Sequence, residues 1–248
     1  MGKYFSVTKK ISVAASKQHA AAFGAGDIVA DWQAIQIPKG SSCLKSLTML
    51  VRPKGDATPT DNDFAANIVF SKTNTQSLGT VNASVDHVPF PDIIGVIKIA
   101  TGNYATNVFN STAIATTGNQ GDDNEAGIPL VLTGDPISGD NVGFDVVYVG
   151  IVTLGSIPDF RSINAVNEAN FAAGAQTVIT MDGSGMDVRE HFAAGDVLHA
   201  QDDAVLGTVA SADSATQITL TAANTDAIAE DDIIYNLHPI TLVLGLEK

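Results

Sequence analysis

The run Gly121-Asp122-Asp123-Asn124-Glu125 puts four oxygen-bearing side chains on consecutive residues, the chain's nearest approach to a cation site. A hard divalent ion such as calcium needs about six to eight oxygen ligands from a loop of fixed shape. Asp122, Asp123 and Glu125 lack the spacing and the later glutamate that complete such a loop, so they read first as a hydrated turn. Asp61-Asn62-Asp63 and the 182–187 stretch offer fewer oxygens still. Among His19, His87, His191, His199 and His238 no two lie two or four residues apart, and none falls in a zinc-ligand pattern. His191 and His199 flank Asp196 across a glycine, a grouping that acquires chemistry only if the fold closes it. The single cysteine, Cys43, rules out an intrachain disulfide. It stands beside Leu44 with nothing nearby to favour the thiolate, and reads as a structural thiol. No Gly-x-Ser-x-Gly elbow, phosphate-binding loop or dinucleotide fingerprint is present. A glycosidase carboxylate pair is defined by separation in space, but 6% aromatic residues and one tryptophan, Trp32, leave little on which to stack a sugar. Trp32 reads as a core or interface residue. The expectation is a protein with no catalytic centre, no cofactor and no resident metal.

The composition says what the chain spends its residues on instead. Hydrophobic residues make up 45% of the 248, enough for a substantial core, while charged residues are only 16%, against roughly 25% in an ordinary soluble domain. A surface so poor in charge is built from Ser, Thr, Asn, Gly and Ala, which suits contact with other proteins. With 13 basic against 27 acidic residues and a net charge of −14, the chain is unsuited to a phosphate backbone. Repulsion would keep it outside a particle filled with nucleic acid. No apolar run reaches the ~18 residues of a membrane span, and residues 1–6 contain no secretion signal. Met1-Gly2-Lys3-Tyr4-Phe5-Ser6 formally fits a myristoylation pattern, but one too short to carry weight. Neither nucleic acid nor membrane is expected as a partner. Lys3, Lys9, Lys10 and Lys17 make residues 1–24 locally basic, and an extended arm touching an acidic neighbour is expected there.

Strand signals dominate. Runs rich in Val, Ile, Thr and Phe are cut by Gly, Pro, Asn and Asp, as in a sandwich or barrel. Strands are predicted over 11–15, 31–37, 44–52, 66–72, 93–100, 112–116, 129–133 and 143–153, and short helices over 16–22 and 187–192. In the later part, Gln176-Thr177-Val178-Ile179-Thr180 is echoed by Thr216-Gln217-Ile218-Thr219-Leu220. Phe192-Ala193-Ala194-Gly195-Asp196-Val197-Leu198 is echoed by Ile228-Ala229-Glu230-Asp231-Asp232-Ile233-Ile234. Two such units suggest a small pseudo-symmetric β-barrel. Residues 160–238 carry 12 acidic and 2 basic side chains, net −10, against net −4 elsewhere. Charge this dense is best placed in solvent. The apolar 240–246 run belongs to neither repeat. It predicts a strand returning to the first domain, so that 159–238 is an insertion between two parts of one sandwich, residues 25–158 and 239–248.

Gly40-Ser41-Ser42-Cys43-Leu44-Lys45-Ser46-Leu47-Thr48, Asp61-Asn62-Asp63-Phe64-Ala65, the 93–99 run with Tyr104, Ile128-Pro129-Leu130 and the closing 240–246 run come in an order that resembles tailed-bacteriophage virion proteins of marine and cyanobacterial phages. The resemblance covers about residues 25–155 and the last ten. It departs from that family's short final connection, which 160–238 replaces. It implies an all-β, jelly-roll-like antiparallel sandwich and a non-enzymatic role in the virion. The expected role is a capsid decoration or cement protein on the outer surface of the head, made in the host cytoplasm. Its partners would be the major capsid protein or other virion proteins, with self-association favoured as a trimer. The alternative is a tail or fibre component that binds a host surface receptor.

Overall fold

The computed structural model describes residues 2–20, 22–54, 60–86, 90–105, 112–116, 130–136, 143–155, 157–161, 170–182 and 187–248. In chain order the elements are β1 (Tyr4–Ile11), α1 (Ala15–His19), β2 (Ile28–Pro38), β3 (Ser42–Val51), β4 (Ala66–Ser71), β5 (Ile93–Ile99), β6 (Tyr104–Ala105), β7 (Ala113–Thr116), β8 (Leu130–Leu132), β9 (Asp135–Pro136) and β10 (Phe144–Thr153). They continue with β11 (Val178–Thr180), α2 (Val188–His191), β12 (Val197–Ala200), β13 (Val205–Ser214), β14 (Gln217–Leu220), β15 (Ile234–Asn236) and β16 (Ile240–Glu247).

Alternation builds the sandwich. Along β16, Ile240, Leu242, Leu244 and Leu246 are buried, while Thr241, Val243, Gly245 and Glu247 face outward. Each of those buried leucines contributes about 1.5–3 kcal/mol by leaving water, so a charge at Leu242 would break the strand's inner face. One antiparallel sheet runs β1-β16-β3-β7-β6, with β8 also on β3; the other runs β2-β10-β4-β5, with β9 on β10. When the eight principal strands β1, β2, β3, β4, β5, β7, β10 and β16 are counted one to eight, the sheets read 1-8-3-6 and 2-7-4-5. Every successive pair but the β4–β5 hairpin thus crosses between sheets, the arrangement of a jelly roll, which bears out the all-β sandwich. The core between the sheets draws on both: Leu44, Leu47, Met49 and Leu244 from one, Ile35, Ile68, Phe70, Val149 and Ile151 from the other.

Three expectations change. Residues 4–11 form no free arm; they pair along their whole length with β16, Tyr4 opposite Glu247 and Ile11 opposite Ile240. Phe5 and Val7 pack against the core. Lys9 shares their half-buried face, its ammonium pKa lowered by burial, and a lysine at that position hides the alternation in the sequence. The predicted strand at 11–15 is instead the end of β1 and the turn into α1. The inserted segment, expected as a barrel, is an open sheet in the order β11-β14-β13-β12-β15. Its long β13 pairs with β12 over one stretch and with β14 over another, with register shifts between Val209 and Ser211 and between Ala212 and Ser214. Such bulges bend a strand and curl the sheet around its own core of Ile179, Leu198, Leu206, Val209, Ile218 and Ile234. The three-residue β11 and β15 end the strand path and do not meet.

The sequence repeat is structural. Its copies pair with each other, β11 with β14 and β12 with β15. Both copies also use one turn. Ala193 N–H donates to Asp196 Oδ2 at 3.0 Å and Asp196 N–H to the Ala193 carbonyl, as Ala229 N–H donates to Asp232 Oδ2 at 2.7 Å and Asp232 N–H to the Ala229 carbonyl. A third copy opens β2, where Gly24 N–H donates to Asp27 Oδ2 and Asp27 N–H to the Gly24 carbonyl. The residue before each aspartate, Gly195, Asp231 or Gly26, has positive φ, and the aspartate side chain holds the tight turn that launches a strand.

Candidate functional site

The metal candidates Asp122, Asp123 and Glu125, and His87 with them, lie outside the described residues. Among the described residues no group of three or more His, Cys, Asp or Glu side chains is placed to hold a metal ion. Asp61-Asn62-Asp63 is not a ligand loop: Asn62 is buried, donating to the Asp159 carbonyl at 2.8 Å and to the Arg52 carbonyl at 3.2 Å. The grouping around Asp196 does close, but on structural partners.

It closes in a polar seam that joins the inserted module to the sandwich. Lys10 Nζ meets Asp196 Oδ1 at 3.1 Å. Asn236 Nδ2 donates to the His191 carbonyl, and Gln18 Nε2 donates to the carbonyls of Val13 and Asn236. Ser16 binds Asp203 through both its N–H and its hydroxyl. His19 Nδ1 lies 2.8 Å from the Tyr235 hydroxyl, and His199 Nδ1 lies 3.1 Å from the Asp203 carbonyl. The buried Arg52 guanidinium lies 5.9 Å from the Tyr235 ring centroid and donates to the Phe160 carbonyl. Burial pulls its pKa down to about 10, so it is still charged at neutral pH. Burial, helped by the Arg52 charge, pushes His191 down to about 3 and keeps it neutral. The seam holds a joint together.

The sandwich's two outer faces differ. Over β2 and β10 the chain covers itself: Trp32 Nε1 donates to the Gln76 carbonyl, Asp31 accepts from Ser77 Oγ and Leu78 N–H, and Leu78 packs with Trp32 against Gly150, where a side chain would collide with both. Over β1, β16, β3 and β7 no such cover is present among the described residues. Facing residues there line up as Ser6, Gly245 and Ser46, then Thr8, Val243, Thr48 and Thr116, two rows without a charge. At about 4.8 Å per strand, the longer row spans roughly 14 Å.

The next row toward the sandwich end away from the module is Tyr4, Glu247, Cys43 and Val131. Tyr4 is 74% exposed and Val131 54%. Cys43, expected as a buried structural thiol, is instead only half-buried, because its side chain lies on the outer face of β3. With Ser41, Ser42 and Lys248, the last three residues of this row line a shallow hollow of about 320 Å³. Lys45 Nζ lies 2.8 Å from Glu247 Oε2, and the Lys45 and Tyr4 hydrogen bonds hold the Glu247 carboxyl below its usual range. Lys3, Lys39 and Lys248 gather beside it through Lys3–Lys248 backbone pairing and the Lys248 ammonium on the Lys39 carbonyl. Phe144, 45% exposed, follows Gly143, whose carbonyl binds the Lys39 N–H. The sequence hid this cluster because its members come from five distant segments.

No family model matches the sequence, and no curated protein matches it. Among solved structures, the chain is similar to infectious bursal disease virus, Gt strain, at TM-score 0.28 and 10% identity, over 99% of this chain and 40% of that one. The Gx strain gives 0.18 and 8%, with the same coverage, and the STIV MCP 0.15 and 11% over 98% of this chain and 96% of that one. The chain thus spans about 40% of the length of the first of these. Likenesses this slight carry no argument; the fold rests on strand order and the function on the surfaces just described.

Proposed function

We propose that the chain is a non-enzymatic structural protein of a virus particle, a decoration or cement protein on the outside of the head. The observation that carries this reading is the polarity of the molecule. A jelly-roll sandwich bears a net −10 module at one end and, at the other, exposed Tyr4, Val131 and Phe144 among lysines. An uncharged sheet face lies between. Such a body docks by its apolar, weakly charged side, where desolvation costs least, and leaves its carboxylates hydrated. Residues 25–158 and 239–248, with β1 added along β16, supply the docking body and 159–238 the outward module. Many copies, each bound weakly and self-associated as a trimer, would hold a shell by avidity. The test is to add purified protein to heads stripped of it. Binding, with a rise in the temperature at which heads release their contents, is the expected result. Heads that bind none, or labelled protein found only at the tail, would overturn it.

A further inference from the structure

We propose that the sandwich end opposite the module is the docking surface, and that its occupant is a carboxylate-rich segment of a different virion protein with an apolar side chain to seat in the hollow. This rests on the virion reading and assigns its contact.

The occupant follows from charge and shape. Lys3, Lys39, Lys45 and Lys248 converge within one end of a chain whose net charge is −14. The nearby carboxylate Glu247 is already engaged by Lys45 and Tyr4, and Asp145 is buried, accepting from Gly40 N–H. Among the described residues positive charge is therefore in surplus at this end, and it selects an acidic surface. Val131 and Cys43 flank the hollow, so an aliphatic or aromatic anchor gains burial there while its acidic neighbours meet the lysines. A second copy fits worse. Two lysine ends facing each other repel, and the trimer proposed above is assigned to the uncharged β1–β16–β3 face, which leaves this end free.

The experiment compares wild type, Lys3→Glu/Lys39→Glu and Val131→Ser for binding to stripped heads, with a polyglutamate peptide as competitor. The charge reversal is expected to weaken binding about 30-fold at low salt, with the difference shrinking as salt rises. Polyglutamate should compete. Alkylation of Cys43 on intact heads should run about tenfold slower than in free protein, a readout that needs no variant and so survives a folding failure. Variants that bind like wild type, or a Cys43 equally reactive on the head, overturn the assignment while leaving the virion role standing. Heads that refuse even the wild type overturn that role itself. Salt-sensitive self-association of the pure protein, abolished by the same reversal, would give the surface to a second copy and also overturn the assignment.

Discussion

Some surfaces of this molecule are closed by its own chain and others are left open among the described residues, and the two kinds are built from different residues. At the module end, Arg52, Asn62, Gln18, His191 and Asn236 are buried and engaged by the chain itself. The outer face over β2 and β10 is likewise covered through Trp32, Leu78 and Gly150. At the far end, and over β1, β16 and β3, Ser, Thr, Gly and Val face outward, and Tyr4, Val131 and Phe144 stand exposed. Buried polar groups are mostly given partners, as Asn62 and Asn236 are here, although Gln18 Oε1 and Arg52 Nε find none among the described residues. Surfaces left uncovered among the described residues avoid the need for such partners by being small, uncharged or apolar. The open regions are those where the chain asks least of itself.

The largest effect should come from breaking the closed end. Phe160 is 1% exposed and packs edge-on against Phe23 and Phe64, and its carbonyl receives the Arg52 guanidinium. Phe160→Ala should cost about 4 kcal/mol through lost burial and a cavity, read as a lowered denaturant midpoint. A loss under about 1 kcal/mol would mean the aromatic cluster does not hold this end shut.

Acid should loosen the same end by less. His191 is held near 3 instead of its ordinary 6.5, by burial and then by the Arg52 charge. Below 6.5 the unfolded chain takes up a proton here that the folded chain refuses, so stability falls as pH drops from about 6.5 toward 3. Between pH 7 and 5 the loss should be about 2 kcal/mol, and burial shifts His238 in the same direction. In His191→Gln the slope over that interval should flatten, and an unchanged slope would show that the proton goes elsewhere.

These two ends were not equally legible in the sequence. The strands over 31–37, 44–52, 66–72, 93–100 and 143–153 show in alternation and breakers, because each sheet has one face in the core and residues two apart must agree. The insertion shows because the 240–246 run belongs to no repeat. β1 stays hidden because Lys9 occupies a half-buried position, its apolar stem standing in for an aliphatic residue. The open barrel is also illegible: a two-copy repeat fixes which strands pair, while closure depends on bulges in β13 that leave no mark in residue type. The sites are harder still. The seam unites α1, Arg52, α2 and β15 across more than two hundred residues of sequence, so periodicity carries no trace of it. His191 and His199 beside Asp196 did point to that seam.

The closed face offers a milder test. Gly150→Ala would push a methyl group into Leu78 and the Trp32 ring. The Leu78 end can turn away but the ring cannot, so the cost should be about 1 kcal/mol, the lower end for overpacking. Hydrogen exchange should quicken at the Leu78 amide, which Asp31 now holds at 2.9 Å. Equal protection in the variant would mean the loop is not seated by that packing.

The open end should give the smallest change in stability. Val131 is 54% exposed and ends the Tyr4–Glu247–Cys43 row. Val131→Ser leaves no cavity and orphans no buried group, so unfolding should shift by less than about 0.5 kcal/mol. The same change removes part of the apolar floor against which a partner would seat, and binding to stripped heads should fall several-fold. A residue kept for folding alone would show the reverse, a stability loss with contact unaltered. Val131 thus separates the two kinds of surface by the sign of the pair of measurements, something no substitution in the closed seam can do, because there folding and contact fail together.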